Sequence, residues 1–76
     1  MKIEKLVRMA NQIAMNLEFG GNREKAASGV ADHLTRFWEP SMRAAIIEHY
    51  RSGGEGLSET AALAVAKLAE ADTALA

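Results

Sequence analysis

The strongest constraint on the fold is the spacing of apolar residues near the start of the chain, where they recur at steps of three and four. At about 100° per residue, this spacing places them on one face of a helix. No stretch of the sequence shows the alternation of apolar and polar residues that is typical of a strand. A first helix is therefore predicted over about residues 2–19, with an apolar face formed by Ile3, Leu6, Val7, Ala10, Ile13, Ala14 and Leu17.

Three breaks divide the rest of the chain into further helices. The first is Gly20-Gly21-Asn22, in which a glycine that suits a helix end precedes a good N-cap. The second is Pro40, which lacks an amide donor and pushes Glu39 out of helical geometry, so that the helix either ends or bends there. The third is the glycine-rich segment 52–56. The predicted helices cover about 23–38, 40–52 and 59–72.

These elements predict an all-α fold, a small bundle of three to four short helices in a single domain spanning residues 1–76. A chain of 76 residues has room for only one small core. Hydrophobic residues make up 49% of it, but fifteen of them are alanine, so large core side chains are few. Cysteine is absent, which excludes disulfides, thiolate metal ligands and thiol catalysis. Such a domain is expected to depend on well-formed helices or on a partner.

The charge distribution does not favour a nucleic-acid or membrane partner. The net charge is −1, with +2 over residues 1–51 and −3 over residues 52–76. Neither half is charged enough for non-specific attraction to nucleic acid or lipid. No apolar run approaches the ~20 residues that span a bilayer, and polar residues interrupt any signal-peptide region near the N-terminus. The predicted location is cytoplasmic.

No group of residues in this sequence predicts a catalytic, cofactor-binding or metal site. Neither His33 nor His49 has the second histidine four residues away that a helical zinc site needs. His49 lies at the edge of an apolar stripe, so it is expected to be a packed side chain. The glycines of segment 52–56 are not followed by the Lys-Ser/Thr pair of a phosphate-binding loop.

The segment 36–43 is the best candidate for contact with a partner protein. It holds half of the aromatic residues, the only proline and two arginines. Aromatic residues, methionine and arginine are enriched at the centres of protein interfaces. Phe37 and Trp38 also lie on the apolar stripe of the second helix, so they can equally be core residues. Met15 and Phe19 lie on the opposite side of the first helix, where they form a second apolar patch that meets another chain unless Phe19 folds back as the helix frays. The predicted interface consists of Arg36, Phe37, Trp38, Pro40, Met42 and Arg43, with Met15 and Phe19 in the second patch.

Three short motifs follow one another along the sequence. The first is Arg-Met-Ala-Asn-Gln-Ile at residues 8–13, the second is His-Leu-x-Arg-Phe-Trp-Glu-Pro-x-Met-Arg at 33–43, and the third is Gly-x-Gly-Leu at 54–57. Together they resemble the delta subunit of NAD-dependent formate dehydrogenase. The resemblance covers about residues 1–57. Ser41 departs from the family pattern, which has arginine there in many members, and residues 16–19 match loosely.

The resemblance implies an accessory role within a larger enzyme. Similar complexes are cytoplasmic, oxidise formate to carbon dioxide and pass two electrons to NAD. Their molybdenum-pterin centre, iron–sulfur clusters and FMN reside in the larger subunits, and none resides in the delta chain. A non-catalytic subunit that supports assembly or stability of the complex is therefore implied, with the alpha subunit as its main partner. A transient chaperone for assembly or cofactor insertion, an unrelated helical interaction module and self-association of the isolated chain are the alternatives.

Overall fold

The computed structural model describes residues 2–18 and 21–75, with side chains as far as Ala71, and these residues form four α-helices. Within this part of the chain no strand occurs, which confirms the predicted all-α bundle. The predicted bounds agree to within two residues for the first three helices, and the fourth helix extends three residues further than predicted. The helices are α1 (Ile3–Leu17), α2 (Arg23–Phe37), α3 (Pro40–Arg51) and α4 (Glu59–Leu75).

The turn between α1 and α2 contains a glycine in a left-handed conformation and the predicted N-cap asparagine. Gly21 takes a φ of 72°, a left-handed conformation that glycine adopts without steric cost. The side-chain oxygen of Asn22 accepts a hydrogen bond from the backbone N–H of Lys25 at 3.0 Å. This bond satisfies one of the free amides at the start of α2. Gly20 lies outside the described residues.

Pro40 marks a break between two helices and not a bend within one helix. Helix α2 ends at Phe37, and Trp38 and Glu39 are extended, with ψ values of 142° and 153°. Pro40 then becomes the first residue of α3, where its fixed φ suits the helix and its missing N–H leaves no bond unmade. Two extended residues therefore separate α2 from α3 and allow the chain to change direction.

The core lies where the four helices meet, with α4 packed mainly along α2 and with α3 packed against α1 and α4. Alanine supplies many of the buried side chains between the helices. A few larger side chains fill the remaining space. The fully buried alanines are Ala10, Ala14, Ala27, Ala61 and Ala64, and the largest fully buried apolar side chains are Leu6, Val30, Leu34, Ile46 and Val65.

Candidate partner-binding site

The α2–α3 corner, residues 33–43, is built around the buried side chain of Trp38. This side chain is 5% exposed and belongs to the core cluster together with Leu34. The backbone N–H of Trp38 donates to the carbonyl of Leu34 at 3.1 Å, the last such bond of α2. Burial of the indole supports the core interpretation of Trp38 and argues against its direct contact with a partner.

The side chain of Arg43 fixes the corner from the α3 side. Its Nη1 atom donates to the carbonyls of Leu34 at 3.4 Å and Thr35 at 3.3 Å, and also to the carbonyl of Trp38. The last carbonyls of a helix lack partners within the helix and carry partial negative charge. Arg43 therefore caps α2 and ties the first turn of α3 to it. The structure gives this predicted interface residue a positioning role.

The exposed tip of the corner is Phe37, with 71% of its surface accessible to solvent. Periodicity places it on the apolar stripe of α2, but it is the last residue of that helix. The ring of His33, one turn earlier, lies against it with the ring centroids 4.8 Å apart. Phe37 is therefore an apolar side chain that is held in place and left uncovered.

The remaining predicted interface residues fall into three groups. Arg36 and Pro40 are exposed beside Phe37, and Arg36 pairs with Asp32, its Nε atom 3.0 Å from Oδ2. Met42 is half-buried and packs against the core. Met15 is 64% exposed on α1 and belongs to a different surface. Phe19, the other residue of the predicted second patch, lies outside the described residues.

The sequence analysis did not identify the role of Asn11. This residue of the first motif bonds to Gly56 of the third motif, 45 residues further along the chain. Its Nδ2 atom donates to the carbonyl of Gly56 at 2.8 Å, and its Oδ1 atom accepts from the backbone N–H of Ser58 at 2.8 Å. Asparagine is a poor helix former, and its position in the middle of α1, next to the apolar face, was the available signal. Asn11 clamps the loop of residues 52–58 against α1.

The same loop is held by His49 and by its close approach to α1. The Nε2 atom of His49 lies 2.7 Å from the carbonyl oxygen of Glu55, which accepts the hydrogen bond. Gly56 has a φ of 86°, and a Cβ there would lie 3.3 Å from Cγ1 of Val7, so a side chain would meet both strain and crowding. Between loop and helix lies a cleft of about 620 Å³, here called the α1–loop cleft. It is lined by Ile3, Glu4, Val7, Arg8, Asn11, His49, Glu55 and Gly56.

Comparison with protein families connects this geometry to a known group of subunits. Residues 5–65 match the family described as the NADH-dependent formate dehydrogenase delta subunit, FdsD. The chain belongs to the FdsD family. The matched region contains the whole of α1, apart from its first two residues, the α2–α3 corner and the loop that Asn11 clamps. Searches of curated proteins and of solved structures each found no match.

Membership of the FdsD family confirms the resemblance that the three motifs carry, and it makes the chain a subunit that associates with other formate dehydrogenase subunits. None of the helices described is long and apolar enough to cross a membrane. Within the described residues, no three His, Asp or Glu side chains lie together in a way that could hold a metal ion. The α2–α3 corner and the α1–loop cleft are two candidate contact surfaces of this FdsD chain.

The cap made by Arg43 can be tested with the variant Arg43→Met, which keeps an aliphatic stem and removes the guanidinium. We expect a loss of about 1 kcal/mol in the free energy of unfolding, because the carbonyls at the end of α2 lose a charged donor. For a domain of this size, thermal unfolding followed by circular dichroism should show a Tm about 4–8 °C lower. The control is Arg36→Met, whose exposed pair with Asp32 contributes only about 0.3–0.5 kcal/mol. Equal losses in the two variants would contradict the capping role.

Proposed function

We propose that this chain is a non-catalytic delta subunit that supports assembly or stability of a cytoplasmic NAD-dependent formate dehydrogenase by docking on the alpha subunit. Membership of the FdsD family supports the association with a formate dehydrogenase. In this proposal the molybdenum-pterin centre, the iron–sulfur clusters and FMN belong to the larger subunits. The delta chain contributes a binding surface, and the oxidation of formate takes place elsewhere in the complex.

The observation that carries the proposal is the exposure of Phe37 on a corner that is otherwise fixed. Phenylalanine buries about 150–250 Å² when it enters an apolar pocket, so a partner that covers this ring gains hydrophobic free energy. The backbone around the ring is held by Trp38 in the core and by the cap that Arg43 forms. Since these contacts order the corner before binding, docking loses little further conformational entropy.

The neighbours of Phe37 have the chemistry of an interface rim. Arg36 is exposed and carries a charge that is already paired with Asp32, and Pro40 presents a rigid apolar surface at the start of α3. Interfaces place aromatic anchors at the centre and polar groups around them. The corner therefore supports a contact that is centred on Phe37, with Arg36 and Pro40 at its edge.

The variant Phe37→Ala tests the docking site. Removal of a central aromatic anchor typically costs more than 1 kcal/mol of binding free energy, so we expect Kd for the alpha subunit to rise about tenfold. The measurement is a titration of the purified chain against formate dehydrogenase prepared without its delta subunit. Leu63→Ala is the matched control, since Leu63 is an exposed apolar residue on α4 that lies away from the corner in sequence. Its Kd should equal that of the wild type.

An unchanged Kd for Phe37→Ala would refute the corner as the docking site. Native mass measurement of the active enzyme separates a permanent subunit from a chaperone. A stoichiometric 8.2-kDa chain in the active complex is the expected result. Recovery of active enzyme that needs the chain but does not retain it would instead support the chaperone alternative.

A further inference from the structure

Arg8 stands apart from the other arginines of the chain, because the described part of the structure provides no acceptor for its guanidinium. Arg23 pairs with Glu59 at 2.7 Å, and Arg36 and Arg43 have the partners described above. Arg51 is partnered as well. Arg8 is exposed in the middle of α1, within the first of the three motifs. Its charge is therefore available to a group outside the chain.

The side chain of Arg8 lies beside a cleft whose walls are held in place by the fold. Arg8 lines the α1–loop cleft, in which Val7 is nearly buried and Ile3 is half-buried. The loop wall of the cleft is fixed to α1 by the two hydrogen bonds of Asn11. Met15 lies on the same helical stripe as Arg8 and Asn11, at steps of three and four residues, and is 64% exposed. A cation thus stands between an apolar floor and an exposed apolar side chain.

We propose that the α1–loop cleft is a second contact site for the larger formate dehydrogenase subunit, and that Arg8 binds a single carboxylate side chain of that subunit. This proposal rests on the proposed function. The argument is charge complementarity: guanidinium groups bind carboxylates through two parallel hydrogen bonds, and an unpartnered arginine beside apolar surface matches an acidic residue flanked by apolar ones. In this proposal Met15, which is exposed, extends the contact along α1.

The acidic residues of the cleft restrict what can bind. Glu4 precedes Arg8 by four residues, and Glu55 lies on the loop wall. No ion pair joins Glu4 and Arg8 in the described part of the chain, and an exposed pair at this helical spacing contributes little in any case. A carboxylate that becomes desolvated in an interface therefore competes well for Arg8. A run of acidic residues would instead be repelled by the two glutamates. The structure therefore favours one aspartate or glutamate in an otherwise apolar segment.

The test measures Kd for the formate dehydrogenase preparation without its delta subunit, using Arg8→Ala, Arg8→Glu and the control Lys5→Ala. Lys5 carries the same charge on an exposed face of α1 but does not line the cleft. We expect Kd to rise about tenfold for Arg8→Ala and further for Arg8→Glu, with Lys5→Ala within twofold of the wild type. The wild-type Kd should rise with salt more steeply than the Kd of Arg8→Ala. Circular dichroism confirms that each variant is folded.

Each other outcome overturns part of the proposal. A Kd for Arg8→Ala equal to that of the wild type, or equal to that of Lys5→Ala, excludes a specific contact at Arg8. Binding by Arg8→Glu that is as tight as binding by Arg8→Ala shows that the partner group is not a carboxylate. In either case a raised Kd for Phe37→Ala leaves the proposed function intact. A wild-type chain that does not bind the preparation overturns both proposals.

Discussion

The variant Trp38→Ala is expected to lose about 3–5 kcal/mol of unfolding free energy, the usual loss for a buried aromatic side chain. Trp38 is 5% exposed and belongs to the core cluster, so alanine would leave a cavity where the two halves of the corner meet. A chain of this size has about 4–11 kcal/mol in total. The substitution would remove a large share of that stability, and urea unfolding followed by circular dichroism measures it.

The adjacent aromatic residue supplies the control for this prediction. Phe37 is 71% exposed, so Phe37→Ala should change the unfolding free energy by no more than about 0.5 kcal/mol. Both variants are expected to lower recovery of the enzyme complex, but for different reasons. Trp38→Ala would do so because the chain unfolds, and Phe37→Ala because a folded chain loses a contact. Similar stabilities for the two variants would contradict the division of the corner into a buried anchor and an exposed tip.

The second large effect is expected for Asn11→Ala, with a loss of about 1.5 kcal/mol in the free energy of unfolding. Each of the two hydrogen bonds contributes about 1 kcal/mol to the free energy of unfolding. The better helix propensity of alanine offsets about 0.6 kcal/mol of that loss. The bond to Ser58 holds the residue that precedes α4, so the loop and the start of α4 should both loosen. Hydrogen exchange at the Ser58 amide reports this local change, and thermal unfolding reports the global one.

The variant Gln12→Ala controls for the Asn11 prediction. Gln12 neighbours Asn11 but is exposed, and its Nε2 atom donates a 3.3 Å hydrogen bond to Oδ1 of Asn16 within the same helix. Its replacement should leave exchange at Ser58 unchanged and stability within about 0.5 kcal/mol of the wild type. Rapid exchange at Ser58 in Gln12→Ala, or slow exchange in Asn11→Ala, would contradict the clamp.

The helices were predictable because their causes are local. Apolar spacing marks α1, Asn22 caps α2, and Pro40 cannot continue a helix from the preceding residues. The choice between a bend and a break at Pro40 was not predictable, since proline permits both. It depends on whether burial of Trp38 favours two extended residues at that point, which is a property of the assembled core.

The sequence singles out a candidate segment for the site, but it does not show which side chains of that segment are exposed. Composition identifies segment 36–43, and the motifs identify the family, yet Phe37 and Trp38 lie on one apolar stripe in the sequence. Periodicity does not reveal which of the two rings the rest of the chain covers, and in the fold Trp38 is buried while Phe37 is exposed. Asn11 was missed for a related reason, because its partners at Gly56 and Ser58 are brought to it only by the tertiary fold.

The clamp that Asn11 forms has a consequence for the order in which the chain folds. The bond to Ser58 joins positions 47 residues apart, a long separation for a helical protein of this size. Contacts between distant positions form late, because the intervening chain must first be brought together. During synthesis α1, α2 and α3 are therefore complete before the contact that closes the cleft exists. The cleft therefore forms only after residue 58 has been synthesised, and shorter nascent chains lack the surface that we propose for partner binding.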